Sequence, residues 1–253
     1  MPQAPLTQIA QGVYRYPDGL VNWYLIEDGG ELTLVDAGWP RSWPRVENAV
    51  KGLARSLGNL TAIVLTHAHP DHLGAAEAAR KSTGATVHVH REEVARAHGT
   101  AKGASPFTLV PSLLPTLWRP TALGFVLHAT ARGFMMPTWV SEVTPYDSGD
   151  KLDVPGHPRV IPTPGHTAGH VALHLEDRGI LITGDAIATL DVLTRQRGPR
   201  VMPDALNSDP ALTRSSLDAL AGLDAGTLLP GHGDPFTGAP ADAVTLAREA
   251  DKA

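Results

Sequence analysis

The chain has 253 residues, of which 42% are hydrophobic and 19% are charged, a composition typical of a globular protein large enough to bury one sizeable core. Its formal net charge of −5 and the lack of a dense stripe of Lys and Arg argue against a nucleic acid as partner. Cysteine is absent from the sequence, which excludes disulfides and thiol redox chemistry.

Residues 1–5 lack the basic and apolar start of a signal peptide, and no later run reaches membrane-spanning length, so we expect a cytoplasmic protein without a membrane partner.

The first elements predicted along the chain are a hairpin and a helix. Strands over 22–27 and 31–35 are joined by a turn with the sequence Asp-Gly-Gly. An amphipathic helix over 44–57 follows, with proline at its start.

A dense group of metal-binding residue types comes directly after the apolar run 62–65. The stretch from residue 66 to residue 72 reads Thr-His-Ala-His-Pro-Asp-His. His67 and His69 are two apart, so both side chains leave an extended strand on one face, whereas Asp71 and His72 project from the turn that follows. The spacing predicts that one metal ion takes the first pair and a second ion takes the other.

The next segments alternate before an unusual insert. A helix over 73–82, a strand over 86–89 and a short helix over 91–98 are predicted. Residues 99–141 then carry aromatic residues and Met spaced by prolines, which predicts broken helices or a folded loop. We expect this apolar insert to close over the metals as a lid or pocket wall; core packing and a contact in a homodimer are the alternatives.

Strands and helices alternate again in the second half. Strands are predicted around residue 160, over 171–175, over 179–183 and over 227–229. Helices are predicted over 210–221 and from residue 240 onward. Two sheets packed face to face with helices outside would satisfy this order.

Three further candidate ligands come just after predicted strands. His166 lies in Pro-Gly-His-Thr, Asp185 in Thr-Gly-Asp and His232 in Pro-Gly-His-Gly. Loops at strand ends gather functional groups at one edge of a sheet, so these side chains can meet the first cluster although they are distant in sequence. Surface histidines in polar loops would be the plain alternative.

A basic stretch follows Asp185. Arg195, Arg197 and Arg200 lie within six residues and could bind an anionic group of a substrate. We favour a solvated loop here.

These motifs, in this order, resemble the metallo-β-lactamase superfamily, whose signature is HxHxDH followed by a His, an Asp and a last His. The resemblance runs from about Val13 to His232 and includes the early strand-end residue Asp36. It implies a single domain over residues 1–253 with the αββα fold, two mixed β-sheets flanked by helices. It also implies a small-molecule substrate, and it leaves a homodimer open.

The resemblance also implies the ligand set. His67, His69 and His166 would hold the first ion, Asp71, His72 and His232 the second, and Asp185 would bridge them. Imidazole and carboxylate ligands suit two divalent ions, with Zn as the first choice and Fe or Mn as alternatives. In such sites the ions lie about 3.5–4 Å apart and share a hydroxide, the predicted nucleophile.

Roles other than metal binding are also predicted. Asp71 is the predicted catalytic residue, because its free oxygen could orient the hydroxide and pass a proton to the leaving group. Ligand histidines normally bond to outer partners, for which the candidates are Asp36, Thr66, Thr167 and His170. The remaining histidines are predicted to be structural or exposed: His88, His90, His98, His128, His157 and His174.

The leading functional prediction is a dinuclear metal-dependent hydrolase of a lactone, ester or thioester, with lactone as the first choice. The resemblance disfavours β-lactam hydrolysis, because the zinc β-lactamases of the superfamily do not use the bridging Asp that Asp185 matches. β-Lactam hydrolysis stays an alternative, as does metal-dependent sulfur or oxygen redox chemistry. The superfamily's glyoxalase II-like thioesterases carry a glutathione-binding helical domain after the last ligand. Only 21 residues follow His232 here, so a glutathione thioester is disfavoured as substrate. A non-catalytic metal scaffold would not need so complete a ligand set.

Overall fold

The structure is a computed structural model that describes residues 6–252, without the side chains of residues 109 and 110. The expectation about a signal peptide concerns residues 1–5, which lie outside the described residues. The first seven strands are β1 (Thr7–Ala10), β2 (Val13–Asp18), β3 (Val21–Asp28), β4 (Glu31–Val35), β5 (Leu60–Val64), β6 (Thr86–His90) and β7 (Thr144–Tyr146). The others are β8 (Arg159–Pro162), β9 (Val171–Leu175), β10 (Ile180–Gly184), β11 (Ala188–Leu190), β12 (Arg197–Arg200), β13 (Thr227–Pro230) and β14 (Phe236–Thr237). The helices are α1 (Trp43–Gly52), α2 (Ala76–Thr83), α3 (Val94–Ala97), α4 (Val110–Leu113), α5 (Pro120–Ala131), α6 (Pro210–Ser216), α7 (Asp218–Ala221) and α8 (Pro240–Ala250).

Two mixed sheets carry the fold. The first sheet has the order β1-β2-β3-β4-β5-β6-β7, antiparallel up to β4 and parallel from β4 to β7. The second has the order β14-β13-β10-β9-β8, in which only the pair β10 and β13 is parallel. Strands β11 and β12 form a separate hairpin. The ends of the parallel strands of both sheets therefore supply the loops that carry the candidate ligands.

Alternation along the strands divides the core into layers. Tyr24, Ile26 and Val64 of the first sheet pack between the sheets with Leu173 and Ile182 of the second. The intervening residues of the first sheet pack against α1 and α2, and those of the second against α7 and α8. Successive side chains of a strand point to opposite faces, so each sheet buries both sides. This arrangement confirms the predicted αββα sandwich of two mixed sheets.

Several predicted elements differ in length. The helix predicted over 44–57 ends at Gly52, because Ala54 has a left-handed backbone (φ 56°) that cannot continue it. The helix predicted over 210–221 is divided at Leu217 into α6 and α7. The hydroxyls of Ser215 and Ser216 donate to backbone carbonyls one turn back, which competes with helix hydrogen bonding.

The insert of residues 99–141 contains the broken helices that its prolines predict. Short helical turns over Pro106–Leu109, Val110–Leu113 and Leu114–Thr116 precede the longer helix α5. Buried residues of α5 pack with Trp39 and with residues near the hairpin of β11 and β12. None of the helices within residues 6–252 has both the length and the apolar character needed to cross a bilayer.

Candidate metal centre

The fold brings all seven candidate ligands together. Their ring nitrogens and carboxylate oxygens form three overlapping groups, each with ligand atoms within 4.8 Å of one another. The groups are His67 with His69 and His166, then His67 with His72 and Asp185, and lastly Asp71 with His72 and His232. The first and third groups correspond to the two ion sites that the resemblance implies, and the middle group joins them.

Asp185 lies at the centre of the cluster. Its Oδ2 is 3.2 Å from His232 Nε2, 3.3 Å from His166 Nε2 and 3.9 Å from His67 Nε2. Its Oδ1 is 3.5 Å from His72 Nε2. One carboxylate thus faces imidazoles from both candidate ion sites, which is the position that a bridging ligand requires.

Asp71 lies to one side of this centre. Its Oδ2 is 3.7 Å from His232 Nε2 and 4.0 Å from His72 Nε2, and its side chain lines the cavity above the cluster. A carboxylate in this place can contact both an ion and a substrate.

Unpartnered polar atoms test whether metal ions fit the site. Among the described residues, His67 Nε2, His72 Nε2 and Asp185 Oδ1 are buried and have no hydrogen-bond partner. Buried polar atoms without a partner are costly, and these three all point into the ligand cluster. Divalent ions would satisfy them, so the residues present fit the metals.

Outer hydrogen bonds orient two of the imidazoles. Asp36 Oδ2 accepts from His72 Nδ1 at 2.9 Å and from the Thr66 hydroxyl at 2.9 Å. The Thr66 oxygen in turn lies 3.1 Å from His67 Nδ1. With both Nδ1 atoms donating outward, both Nε2 atoms are free to bind ions. Asp36 has a left-handed backbone (φ 54°) at the end of β4, which turns its carboxylate toward this network.

His170 supports Asp185 instead of binding an ion. Its Nε2 accepts from the backbone N–H of Asp185 at 2.9 Å, and its Nδ1 lies 2.8 Å from the Thr163 hydroxyl. Burial and the nearby imidazole of His166 lower the pKa of His170 to about 3. The ring is therefore neutral and keeps the lone pair that Asp185 needs. Thr167, by contrast, has a buried hydroxyl without a partner among residues 6–252.

Two supporting residues were missed by the sequence reasoning. The buried carboxylate of Glu93 accepts from Ala68 N and from Gly169 N, each at 2.9 Å, and so links the two loops that carry His67, His69 and His166. Asn207 Oδ1 accepts from His166 Nδ1 at 2.9 Å. No local pattern marks either residue, because their partners are distant in sequence.

The surroundings of Asp185 and His67 shift the pKa values of both side chains. Burial alone would raise the pKa of Asp185, but the imidazoles of His232 and His72 outweigh it and hold this pKa well below its usual range. Burial and the neighbouring imidazole of His72 lower the pKa of His67. Asp185 is therefore ionised and His67 neutral, which are the forms that bind metal.

Glycine is required where backbone approaches the centre. A Cβ atom on Gly231 would lie 2.1 Å from Asp185 Oδ1 and 2.8 Å from His72 Cε1. The Pro-Gly-His-Gly loop can therefore reach the cluster only with glycine before His232.

A cavity lies above the cluster. Its polar side is formed by His69, Asp71, His166, Asp185 and His232. Its apolar side is formed by Leu113, Phe125, Phe134, Val192, Met202 and Leu206. Three of these apolar residues come from the insert, whose described residues thus form part of the cavity wall.

Other sequence candidates lie elsewhere. Arg197 pairs with Asp234 at 2.8 Å, Arg200 donates to Gln196 Oε1 at 3.0 Å, and neither lines the cavity. Arg195 has a left-handed backbone (φ 68°) and also lies outside the cavity lining. The segment is partly a strand, β12, and its arginines are not directed at the cluster. The six remaining histidines are absent from the three ligand groups of the described residues.

Comparison with known proteins agrees with this geometry. Residues 16–232 match the family described as the Metallo-beta-lactamase superfamily. The Probable metallo-hydrolase YflN of Bacillus subtilis is 28% identical over 269 residues, covering 94% of this chain and 92% of that protein. A Hydroxyacylglutathione hydrolase of Cereibacter sphaeroides is 28% identical over 197 residues; the match covers 77% of this chain but only 59% of that protein.

A solved structure agrees in fold. A metallo-beta-lactamase family protein from Thermus thermophilus superposes with a TM-score of 0.69 at 28% sequence identity, covering 97% of this chain and 80% of that one. The family match spans most of the chain, and the four-layer sandwich and the His and Asp cluster agree with it. The chain therefore belongs to the metallo-β-lactamase superfamily.

Proposed function

We propose that this protein is a dinuclear metal-dependent hydrolase that cleaves a carbonyl bond of a lactone, ester or thioester. The observation that carries the proposal is the position of Asp185, whose carboxylate faces imidazoles of both candidate ion sites at 3.2–3.9 Å. A bridging carboxylate serves two ions acting together. Two ions in turn suit hydrolysis, in which the attacking water is activated while negative charge on the carbonyl oxygen is stabilised.

The proposed ligands divide into two sets that share Asp185. His67, His69 and His166 would hold one ion, and Asp71, His72 and His232 the other. Divalent ions such as Zn, when bound here, would supply an activated water and stabilise negative charge on the carbonyl oxygen.

Asp71 has the proton-transfer role in this proposal. In hydrolysis, water adds to the carbonyl carbon, the bond to the leaving oxygen or sulfur breaks, and the leaving group takes up a proton. Asp71 lines the cavity and would accept the proton from water and return it to the leaving group. His170 and Asp36 would keep the ligands oriented through their hydrogen bonds.

The cavity favours a substrate with an apolar acyl group. A second cavity lies within the insert and shares Leu113, Phe125 and Phe134 with the cavity above the cluster. An acyl chain could extend along these residues while its carbonyl lies at the cluster. Lactones and simple esters with apolar chains therefore stay the first choice.

Two alternative functions are included in the test. β-Lactam hydrolysis is compatible with the fold but is disfavoured by the bridging position of Asp185. Redox chemistry at the same ions is the second alternative.

The experiment is a substrate panel assayed by acid release. Zinc-loaded protein would be given lactones, simple esters and thioesters of increasing acyl length, and one β-lactam, beside chelator-stripped protein as control. We expect turnover of at least one lactone, ester or thioester that the stripped protein lacks. Turnover of the β-lactam alone, or oxygen consumption without acid release from any substrate, would contradict the proposal.

A further inference from the structure

The insert leaves an unusually apolar surface exposed. Eight large hydrophobic side chains are exposed among the described residues, and only Leu212 and Leu246 lie outside the insert. The other six are Phe107, Leu114, Trp118, Leu123, Leu127 and Met136. We call these six residues the apolar face; exposed groups of this kind mark interaction sites.

Helix α5 shows why this exposure is unusual. Its inner side is buried through Ala122, Phe125 and Ala129, while Leu123 and Leu127 are exposed one turn apart on another side. The helix has no charged residue between Pro120 and Ala131. A helix without charged residues that carries large apolar side chains on more than one side normally lies in a core or in contact with lipid.

Charge separates the insert from the rest of the chain. Residues 99–141 contain Lys102, Arg119 and Arg132 but no Asp or Glu, in a chain of net charge −5. Arg132 pairs with Asp18, whereas the Arg119 guanidinium lies 5.2 Å from the centre of the Trp118 ring, and that Trp is 76% exposed. Exposed Trp beside basic residues and apolar side chains is typical of segments that lie in a lipid interface.

We propose that the apolar face docks on an anionic lipid surface. Exposed apolar side chains would insert among the lipid tails, and anionic headgroups would meet Lys102 and Arg119, whose charge no acidic residue of the insert offsets. A second copy of the chain fits less well, because a two-fold contact would bring two basic inserts together. The expectation that no membrane is a partner considered only membrane-spanning runs, which this docking does not need.

The two cavities indicate a use for this docking, which is the supply of a lipophilic substrate. The cavity within the insert adjoins the cavity above the ligand cluster and shares Leu113, Phe125 and Phe134 with it. Docking would therefore bring a lipophilic substrate dissolved in the lipid surface close to the two cavities. This use rests on the proposed hydrolase function, whereas the docking itself does not.

Co-sedimentation with vesicles tests the docking without any substrate. The zinc-loaded full chain would be mixed with vesicles of phosphatidylcholine alone and with vesicles that also contain phosphatidylglycerol. We expect stronger binding to the anionic vesicles, weakened by added salt. The double variant W118S/L127S should partition about tenfold more weakly, because it removes two large apolar groups from the interface. The matched control L212S/L246S removes exposed leucines elsewhere and should bind like the wild type.

Neither Trp118 nor Leu127 lines the two cavities, so W118S/L127S should hydrolyse a water-soluble ester at the wild-type rate. Equal vesicle binding by W118S/L127S and the control, or no binding by the wild type, would overturn the docking. So would a wild-type dimer in sedimentation velocity that W118S/L127S converts to a monomer, since a second copy would then cover the apolar face. Vesicle binding with no hydrolysis of any panel substrate would leave the docking intact and remove the proposed function.

Discussion

The two carboxylates of the cluster differ in their surroundings and hence in their proposed tasks. Asp185 is held by a backbone bond to His170 and faces four imidazoles, so both its oxygens are directed at the candidate ions. Asp71 is more peripheral and lines the cavity. Asp185 lines the cavity as well, but imidazoles surround its oxygens and its side chain is 3% exposed, against 10% for Asp71. Asp71 is therefore the carboxylate better placed to exchange a proton with a substrate.

Asp71→Asn tests this difference. An amide cannot accept and return a proton, so we expect kcat to fall by about 10²–10⁴-fold, the contribution usual for general acid and base catalysis. Bound metal should change far less, because His72 and His232 remain. Asp177→Asn, on an exposed turn, is the control. Near-normal kcat with intact metal content would show that Asp71 has no such role.

Glu93 is a positioning residue whose removal should loosen the first ion site. Glu93→Gln replaces an oxygen that accepts a backbone N–H with an amide group that donates. We expect the free energy of unfolding to fall by about 1–3 kcal/mol, the usual cost of an unsatisfied buried group. Zinc affinity should fall as well. Urea unfolding and zinc competition would measure both effects, with the exposed neighbour variant Glu92→Gln as control; equal behaviour of the two variants would refute the role.

At the scale of elements, α2 anchors the end of the insert. Glu77 of α2 accepts from the Ser141 hydroxyl at 2.8 Å and from Arg80 Nε at 2.9 Å. Burial alone would raise the pKa of Glu77, but these hydrogen bonds outweigh it and lower the pKa from 4.5 to about 2. A lowered pKa in the folded state means that ionised Glu77 stabilises the fold above its ordinary pKa. This stabilisation is lost as the pH falls toward the folded-state value.

Glu77→Gln should therefore be less stable than the wild type near neutral pH, and the difference should shrink as the pH falls from about 4.5 to about 2. Urea unfolding at several pH values would measure it. Glu142→Gln is the control, because Glu142 is exposed and its pair with Arg80 should contribute less than about 1 kcal/mol. A difference between Glu77→Gln and the wild type that did not change with pH would exclude ionised Glu77 as the cause.

Helix α5 should set the acyl preference, because Phe125 lies in the wall between the two cavities. Phe125→Leu opens this wall, so kcat/KM should rise for long acyl chains relative to short ones. The fold should lose only about 1 kcal/mol of stability. The exposed variant Leu123→Ala on the same helix is the control. An unchanged ratio across the acyl series would separate the insert from substrate selection.

Strand-end motifs were the predictable part of the molecule. The apolar run before His67 and the Gly-rich turns at His166 and His232 carry local signals, and the αββα sandwich predicted from their order was confirmed. Glu93 and Asn207 could not be predicted, because their functions depend on partners in other loops. The hairpin of β11 and β12 was also missed, since the sequence Arg-Gly-Pro-Arg of β12 lacks strand alternation.

At the scale of the whole molecule, the cluster joins the two sheets. His67, His69, Asp71 and His72 follow β5 of the first sheet, whereas His166, Asp185 and His232 follow β8, β10 and β13 of the second. Ions bound by both sets would link the two halves of the sandwich. Ligands that bind only the folded state stabilise it, so such ions would stabilise the fold in addition to their proposed part in hydrolysis.

A metal titration tests most directly whether two ions act together at this cluster. Chelator-stripped protein would be titrated with zinc while bound metal per chain, acid release from the best panel substrate and thermal stability are followed. We expect binding to saturate at two ions per chain, with hydrolysis appearing as the second ion binds and Tm rising along the titration. Saturation at one ion with full activity, or full activity of the stripped protein, would contradict catalysis by two ions.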